Sequence, residues 1–264
     1  MPELLKSIIL GIIQGLTEFL PVSSSGHLEL AKYLLGDTST GEQSLFFTIM
    51  LHVATALSTI YVFRKDIGEI LKGLFAKPWN ESKDFTINVI VSMVPAALLG
   101  FFAEPLIETL FNQKIALVGA MLLVTALLLF LADRSKVSAK RVTRLDALII
   151  GIAQAVAILP GISRSGATIA TSVMLGIDRY SAARFSFLMV VPLILGKICY
   201  DVISGGLFVL PGDMANVFVG FIAAFITGTF ACKLMIAIVQ KSQLKYFAIY
   251  CAVVGIFAII LVTI

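Results

Sequence analysis

Two small clusters of polar residues stand 140 positions apart in an otherwise strongly apolar chain, and their side chains are the kind that do chemistry. The first holds Glu18, Ser23, Ser24, Ser25 and His27; the second holds Ser163, Arg164, Ser165 and Thr168. Between them they offer an acid or metal ligand, a nucleophile, a proton carrier and an anion clamp. Gln14 and Glu18 are four residues apart, so they share one helix face. Ser24 and His27 are three apart and share the face of a following helix, just inside its start. The run Ser23-Ser24-Ser25 is good N-cap material, and a helix N-terminus with free N–H groups and hydroxyls is a ready anion site. The second cluster repeats that design, with Arg164 able to grip a phosphate through two parallel bonds. Gly26 and Gly166 allow backbone to approach a ligand closely.

Plainer readings compete. A serine–glycine turn between apolar helices can be a cap and nothing more, so the serines alone decide little. Glu18 differs, because an ionised carboxylate in a membrane segment needs a partner or a metal. For Arg164 the plain alternative is a structural ion pair with Glu18 or Asp178. His27 in a polar tip reads as functional, whereas His52, inside an apolar run, reads as a packing or supporting histidine. Gln14 and Gln154 could simply bond the opposite loop, and snorkelling suffices for Arg179 and Arg184.

The two clusters belong to an internal repeat. Gly11-Ile-Ile-Gln14, Leu20-Pro21, Ser25-Gly26 and Leu35-Gly36 recur as Gly151-Ile-Ala-Gln154, Leu159-Pro160, Ser165-Gly166 and Leu175-Gly176. Further on, Asn88, Ala96, Gly100 and Phe102-Ala103 recur as Asn216, Ala224, Gly228 and Phe230-Ala231. The chain therefore divides into halves of about 1–134 and 145–264 within a single membrane domain spanning 1–264.

Composition fixes the surroundings. With 59% hydrophobic residues, 14% charged residues and a mean hydropathy of +1.00, this is an all-α integral membrane protein. Six spanning helices are expected, over 45–63, 86–103, 115–132, 185–203, 217–239 and 247–264. Lys197 and Asp201 sit toward one end of the fourth, and Lys233 is the one charge in the fifth. Cys199, Cys232 and Cys251 fall in apolar spans without CxxC spacing and read as small buried hydrophobes. The first 13 residues run into Gln14 and Glu18 without a small-residue cleavage site, which argues against a signal peptide. No basic stripe with interleaved aromatics suggests nucleic acid.

Each half reads as a polar helix pair followed by three spans, so the second half should enter the bilayer from the opposite side. Such an inverted-topology repeat tends to place a shared site near the membrane midplane. The helix pairs look re-entrant: 4–20 and 147–159 are short, polar and closed by Pro21 and Pro160. Two hairpins entering from opposite faces would bring their tips together. Arg64, Lys65, Lys72, Lys77, Lys83, Arg134, Lys136, Lys140, Arg141 and Arg144 crowd the loops of one side, whereas 104–114 and 204–214 offer only Lys114. The positive-inside rule puts the basic side in the cytoplasm and both termini outside.

One phosphatase chemistry can be set aside. The superfamily with a histidine nucleophile needs a histidine six residues beyond the arginine, where this chain has Ala170, and none follows His52. A different resemblance is close. The stretch from Gln14 through Glu18 and Ser23-Ser24-Ser25-Gly26 to His27 resembles the (Glu/Gln)-x-x-x-Glu and serine–histidine motif of the bacterial undecaprenyl-diphosphatase family, also called bacitracin-resistance proteins. Pro160-Gly-Ile-Ser-Arg-Ser-Gly-Ala-Thr168 resembles that family's Pro-Gly-x-Ser-Arg-Ser-x-x-Thr motif, and the likeness runs over essentially the whole chain.

The resemblance implies a hydrolase that removes the terminal phosphate of undecaprenyl diphosphate, yielding the lipid carrier for peptidoglycan and conferring bacitracin resistance. It implies residence in the bacterial inner membrane with an active site facing the periplasm, and a divalent cation, Mg²⁺ or Ca²⁺. Membrane lipids are then partners, and the oligomeric state, a homo-oligomer included, stays open. The family's carboxylate pair lands on Gln14 and Glu18, so metal binding would lean on Glu18. On this reading Ser24 attacks phosphorus, His27 accepts or relays the proton, and Arg164 stabilises the developing charge. Ser23, Ser25, Gly26, Ser163, Ser165, Gly166 and Thr168 bind the substrate phosphates. A direct attack by water, or by His27, remains an alternative, as do a secondary transporter for an anion and a lipid flippase, neither of which needs a nucleophile.

Overall fold

The computed structural model describes residues 2–36, 41–102, 115–136, 139–203, 214–241 and 243–263. Those residues form α1 (Glu3–Phe19), α2 (Ser24–Leu34), α3 (Gly41–Val62), α4 (Arg64–Phe75), α5 (Glu81–Phe102), α6 (Ile115–Asp133), α7 (Arg144–Val156), α8 (Arg164–Met174), α9 (Arg179–Ile203), α10 (Met214–Gln240) and α11 (Leu244–Thr263). No strand occurs among the described residues beyond a single bridge between Lys140 and Ile177.

Among the described residues, five helices are long and apolar enough to cross a bilayer: Gln43–Val62, Glu81–Gly100, Ile115–Asp133, Met214–Gln240 and Leu244–Val262. The sixth expected span, 185–203, lies within α9. Several of that helix's side chains between 197 and 202 lie outside the described residues over which the five are counted. The expected loops at 104–114 and 204–213, with Lys114, lie outside the described residues, as do the side chains of Lys197 and Asp201.

The two halves are laced together by matched contacts between backbones. In lipid, helices gain little from hydrophobicity and associate through close packing at small residues. Gly11 of α1 sits where an added Cβ would lie 2.3 Å from the Gly220 carbonyl of α10. Its repeat partner Gly151, on α7, sits where a Cβ would lie 2.4 Å from the Ser92 carbonyl of α5. Each half's first helix thus packs against the second half's or first half's long span in the same way. At the seam Gly119 of α6 and Gly255 of α11 face one another's carbonyls, with added Cβ atoms at 2.7 and 2.8 Å. Around these contacts the main core gathers Phe19, Phe185, Phe187, Leu122, Leu129 and Met235, all buried.

Ion pairs collect at the ends of α4, α5, α7 and α9: Arg184 with Asp66 at 2.6 Å, Arg144 with Asp84 at 3.2 Å, and Arg141 with Glu81. Two sequence expectations change here. Arg179 does not snorkel but is buried, 7% exposed, and Arg184 is held by Asp66 and stacks on Phe85. Cys199 is exposed, unlike the buried Cys232 and Cys251.

Candidate functional site

The helix ends that carry the polar clusters are built alike. α1 stops because Leu20 precedes Pro21 and turns extended. α2 then starts from Ser23, whose hydroxyl accepts the Gly26 N–H at 3.3 Å. In the second half Ser163 caps α8 by accepting the Gly166 N–H at 3.0 Å. The paired hydroxyls Ser23–Ser25 and Ser163–Ser165 lie 3.4 and 3.2 Å apart. Ser23 is the one described non-glycine residue with positive φ, at +70°, a conformation that costs energy and that surrounding structure must enforce.

These two tips touch. The Ser165 hydroxyl donates to the Leu20 carbonyl at 3.3 Å, and Gly166 lies where a Cβ would meet Pro21 at 3.3 Å. Gly26 faces Gly161 and Val118 in the same manner. Through this contact Arg164 reaches the first cluster and donates from Nη2 to Oε1 of Glu18, a pair separated by 146 residues in sequence.

Glu18 is the hub. It is buried, and its other oxygen, Oε2, accepts the Ser24 hydroxyl at 2.7 Å and the Gln14 amide at 3.0 Å. His52 Nε2 stands 3.8 Å from that same oxygen. Ser24, Ser25, His27 and Arg164 are partly exposed and form the accessible side of the cluster. Ser23, Gly26, Ser163, Ser165, Gly166 and Thr168 are buried behind it. Thr168 turns away, toward Ser186 at 2.6 Å and the Arg164 carbonyl at 2.9 Å.

His27 does not meet Ser24. Its Nδ1 pairs with the Ser23 carbonyl at 2.8 Å, and its Nε2 with the Tyr250 hydroxyl at 2.9 Å, the two rings stacked with centroids 5.6 Å apart. A carbonyl only accepts, so Nδ1 carries the proton and Nε2 accepts from tyrosine. Tyr250 lies in an apolar span with no polar motif around it, so nothing in the sequence marked it. His52, read in the sequence as a packing or supporting histidine, stands beside Glu18.

Two polar atoms at the site have no partner among the described residues: Gln14 Oε1 and Arg164 Nη1, both buried. A buried donor or acceptor left unmatched is costly, and at a site it points to ligand. The guanidinium nitrogen suits a phosphate oxygen, and the amide oxygen with the Glu18 carboxylate suits a hard cation. Gln154, the repeat partner of Gln14, is likewise buried with both amide atoms unmatched, and so does not bond the opposite loop as expected. Among the described residues no three His, Cys, Asp or Glu side chains converge, so a cation here would draw on the amide and on substrate oxygens.

Similarity to known proteins is extensive. The sequence model of the bacitracin resistance protein BacA family matches residues 7–257. An undecaprenyl-diphosphatase of Christiangramia forsetii is 59% identical over 258 residues, which cover 98% of each chain. Others are 47% identical over 264 residues in Bacteroides fragilis and 40% over 265 in Halothermothrix orenii, each covering 98% of both chains.

Proposed function

Since the chain belongs to the bacitracin resistance protein BacA family, we infer that it is an undecaprenyl-diphosphate phosphatase, a membrane hydrolase that releases inorganic phosphate and leaves undecaprenyl phosphate. That activity recycles the lipid carrier of cell-wall synthesis. The observation that carries the site assignment is the chain Ser24–Glu18–Arg164, which joins both repeat motifs into one constellation.

The chemistry runs as follows in this reading. Arg164 offers its unmatched Nη1 to the terminal phosphate, while the N-terminus of α2 with Ser25 faces the same anion. Ser24 Oγ attacks phosphorus and the P–O bond to undecaprenyl phosphate breaks; Glu18, already accepting the hydroxyl, takes its proton. Water then hydrolyses the phosphoserine, with Glu18 returning the proton to Ser24 as phosphate departs. His27, on the accessible side, exchanges protons there through Nε2 by way of Tyr250. The divalent cation, Mg²⁺ or Ca²⁺, would be held by Glu18 and Gln14 and neutralises diphosphate charge when bound. Transport or flipping alone would not call for a serine hydroxyl bonded to a buried carboxylate.

The re-entrant, inverted arrangement of halves 1–134 and 145–264 draws support from the matched contacts Gly11–Gly220 and Gly151–Ser92 and from the matched caps Ser23 and Ser163. The ion pairs crowding one end support a cytoplasmic assignment for that end, termini outside and a site opening to the periplasm of the inner membrane.

The test is phosphate release from undecaprenyl diphosphate by purified protein in detergent, comparing wild type, Ser24→Ala and Arg164→Ala with Mg²⁺ and with chelator. Metal-dependent release that collapses in both variants supports the reading. A folded wild type that binds the lipid without hydrolysing it overturns it.

A further inference from the structure

Both histidines of this chain have Nδ1 against a backbone carbonyl: His27 against Ser23, and His52 against Thr48 at 2.8 Å. Each ring therefore presents Nε2 outward. For His27 a tyrosine hydroxyl meets that lone pair. For His52 the facing atom is Glu18 Oε2, another acceptor, at 3.8 Å.

Two acceptors in apposition beside a buried carboxylate are unfavourable unless something positive stands between them. At 3.8 Å the two atoms are within ion-pair range but outside hydrogen-bond reach, so no direct bond fills the gap. A metal ion about 2.1 Å from each atom spans separations up to about 4.2 Å. The Glu18 carboxylate has lone pairs to spare after Ser24, Gln14 and Arg164 are counted. Gln14, bonded to that same Oε2 through Nε2, has its own Oε1 unmatched. The His52 side chain is 30% exposed, so the gap has access.

We propose that His52 is a protein ligand of the divalent cation, completing with Glu18 and Gln14 a nitrogen–oxygen site whose remaining positions are left for water and substrate phosphate. This rests on the phosphatase reading and its cation, and it adds a nitrogen ligand from a span far from both motifs. An imidazole ligand shifts preference away from Ca²⁺ and Mg²⁺ and toward first-row transition ions. It also ties the C-terminal end of α1 to the middle of α3, so that cation binding would brace Oε2 of the hub carboxylate while Arg164 holds Oε1.

The test uses Mn²⁺ itself as the probe, added to full-length, tag-free protein in detergent, with pulsed electron paramagnetic resonance reading nitrogen coupling to the ion. Because the chain has two histidines, two variants complete the assignment. Wild type and His27→Gln should show histidine-nitrogen modulation; His52→Gln should lose it and bind Mn²⁺ at least about tenfold more weakly, with an unchanged elution profile and melting midpoint. Bound Mn²⁺ without nitrogen coupling in wild type, coupling that persists in His52→Gln, or no saturable Mn²⁺ binding would each overturn the proposal. Phosphate release measured on the same wild-type sample keeps the two questions apart: absence of hydrolysis overturns the phosphatase reading, whereas the nitrogen coupling alone decides His52.

Discussion

The Ser24 hydroxyl donates to Oε2 of Glu18 at 2.7 Å, and no histidine nitrogen lies between them. A serine bonded to a carboxylate can lose its proton only to that carboxylate. Ser24→Ala should therefore lower phosphate release by about 10²–10⁴-fold, and Glu18→Gln by a similar factor. The double variant should be no worse than either single one, because the two act as a unit. Turnover of undecaprenyl diphosphate by the three purified proteins checks this.

Arg164 has one guanidinium nitrogen on Glu18 and another buried without a partner. Lysine keeps the charge but cannot serve both positions. Arg164→Ala should cost about 10²–10³-fold in kcat/KM. Arg164→Lys should recover only part of this, staying about tenfold or more below wild type, the worth of one lost bond. Steady-state kinetics across the three proteins distinguish charge from geometry.

The parts of the site that were legible in sequence were those announced by a repeat. Ser23 and Ser163, at matching positions, are matching caps; Glu18 and Arg164 have no counterpart in the repeat and meet instead in the ion pair weighed as the plain reading of Arg164. The step that sequence spacing misjudged was Ser24 with His27. Residues three apart do share a helix face, yet Ser24 is the first residue of α2, where its hydroxyl can turn back to α1, and the Ser23 carbonyl claims His27. Tyr250 and His52 reach the site from spans read as plain membrane helix; only a fold could bring them there. Arg179 was read as an edge residue because sequence does not show that α9 begins inside the packed end of the bundle.

Glycine contacts give a stability test of the pairing between halves. At Gly15 a Cβ would fall 2.6 Å from the Ala224 carbonyl, and at Gly151 2.4 Å from that of Ser92. Backbone cannot yield cheaply, so Gly15→Ala and Gly151→Ala should each destabilise by about 1–3 kcal/mol. Gly68, in α4, has nothing within 4 Å of an added Cβ, and Gly68→Ala should stabilise by about 0.5–1 kcal/mol. Thermal midpoints in detergent should move down, down and up.

Asp146 gives a pH signature at the loop end of α7. Burial alone would raise its carboxyl, but the Lys140 ammonium at 2.7 Å and the Thr143 hydroxyl and N–H hold it below the ordinary carboxylate value. A lowered carboxyl stabilises the fold fully above its ordinary value of 3.8 and loses that contribution as pH falls through the folded value. Asp146→Asn, which also weakens the capping box with Thr143, should cost about 1 kcal/mol at neutral pH. The gap between wild type and variant should narrow toward pH 3, measured by denaturation at each pH.

Tyr250 and His27 separate a hydrogen bond from a stack. Tyr250→Phe keeps the ring that lies over His27 and removes only the hydroxyl that donates to Nε2. A net bond of this kind is worth about 0.5–1.5 kcal/mol. If that bond holds the imidazole for proton exchange on the accessible side, kcat should drop about three- to tenfold with KM and the melting midpoint nearly unchanged. Tyr250→Leu removes the stack as well and should lower both kcat and the midpoint. Equal kcat in wild type and Tyr250→Phe would mean that His27 acts through Nε2 without help from the hydroxyl, or that the ring turns when substrate arrives; a raised KM alone would instead place the hydroxyl on the substrate.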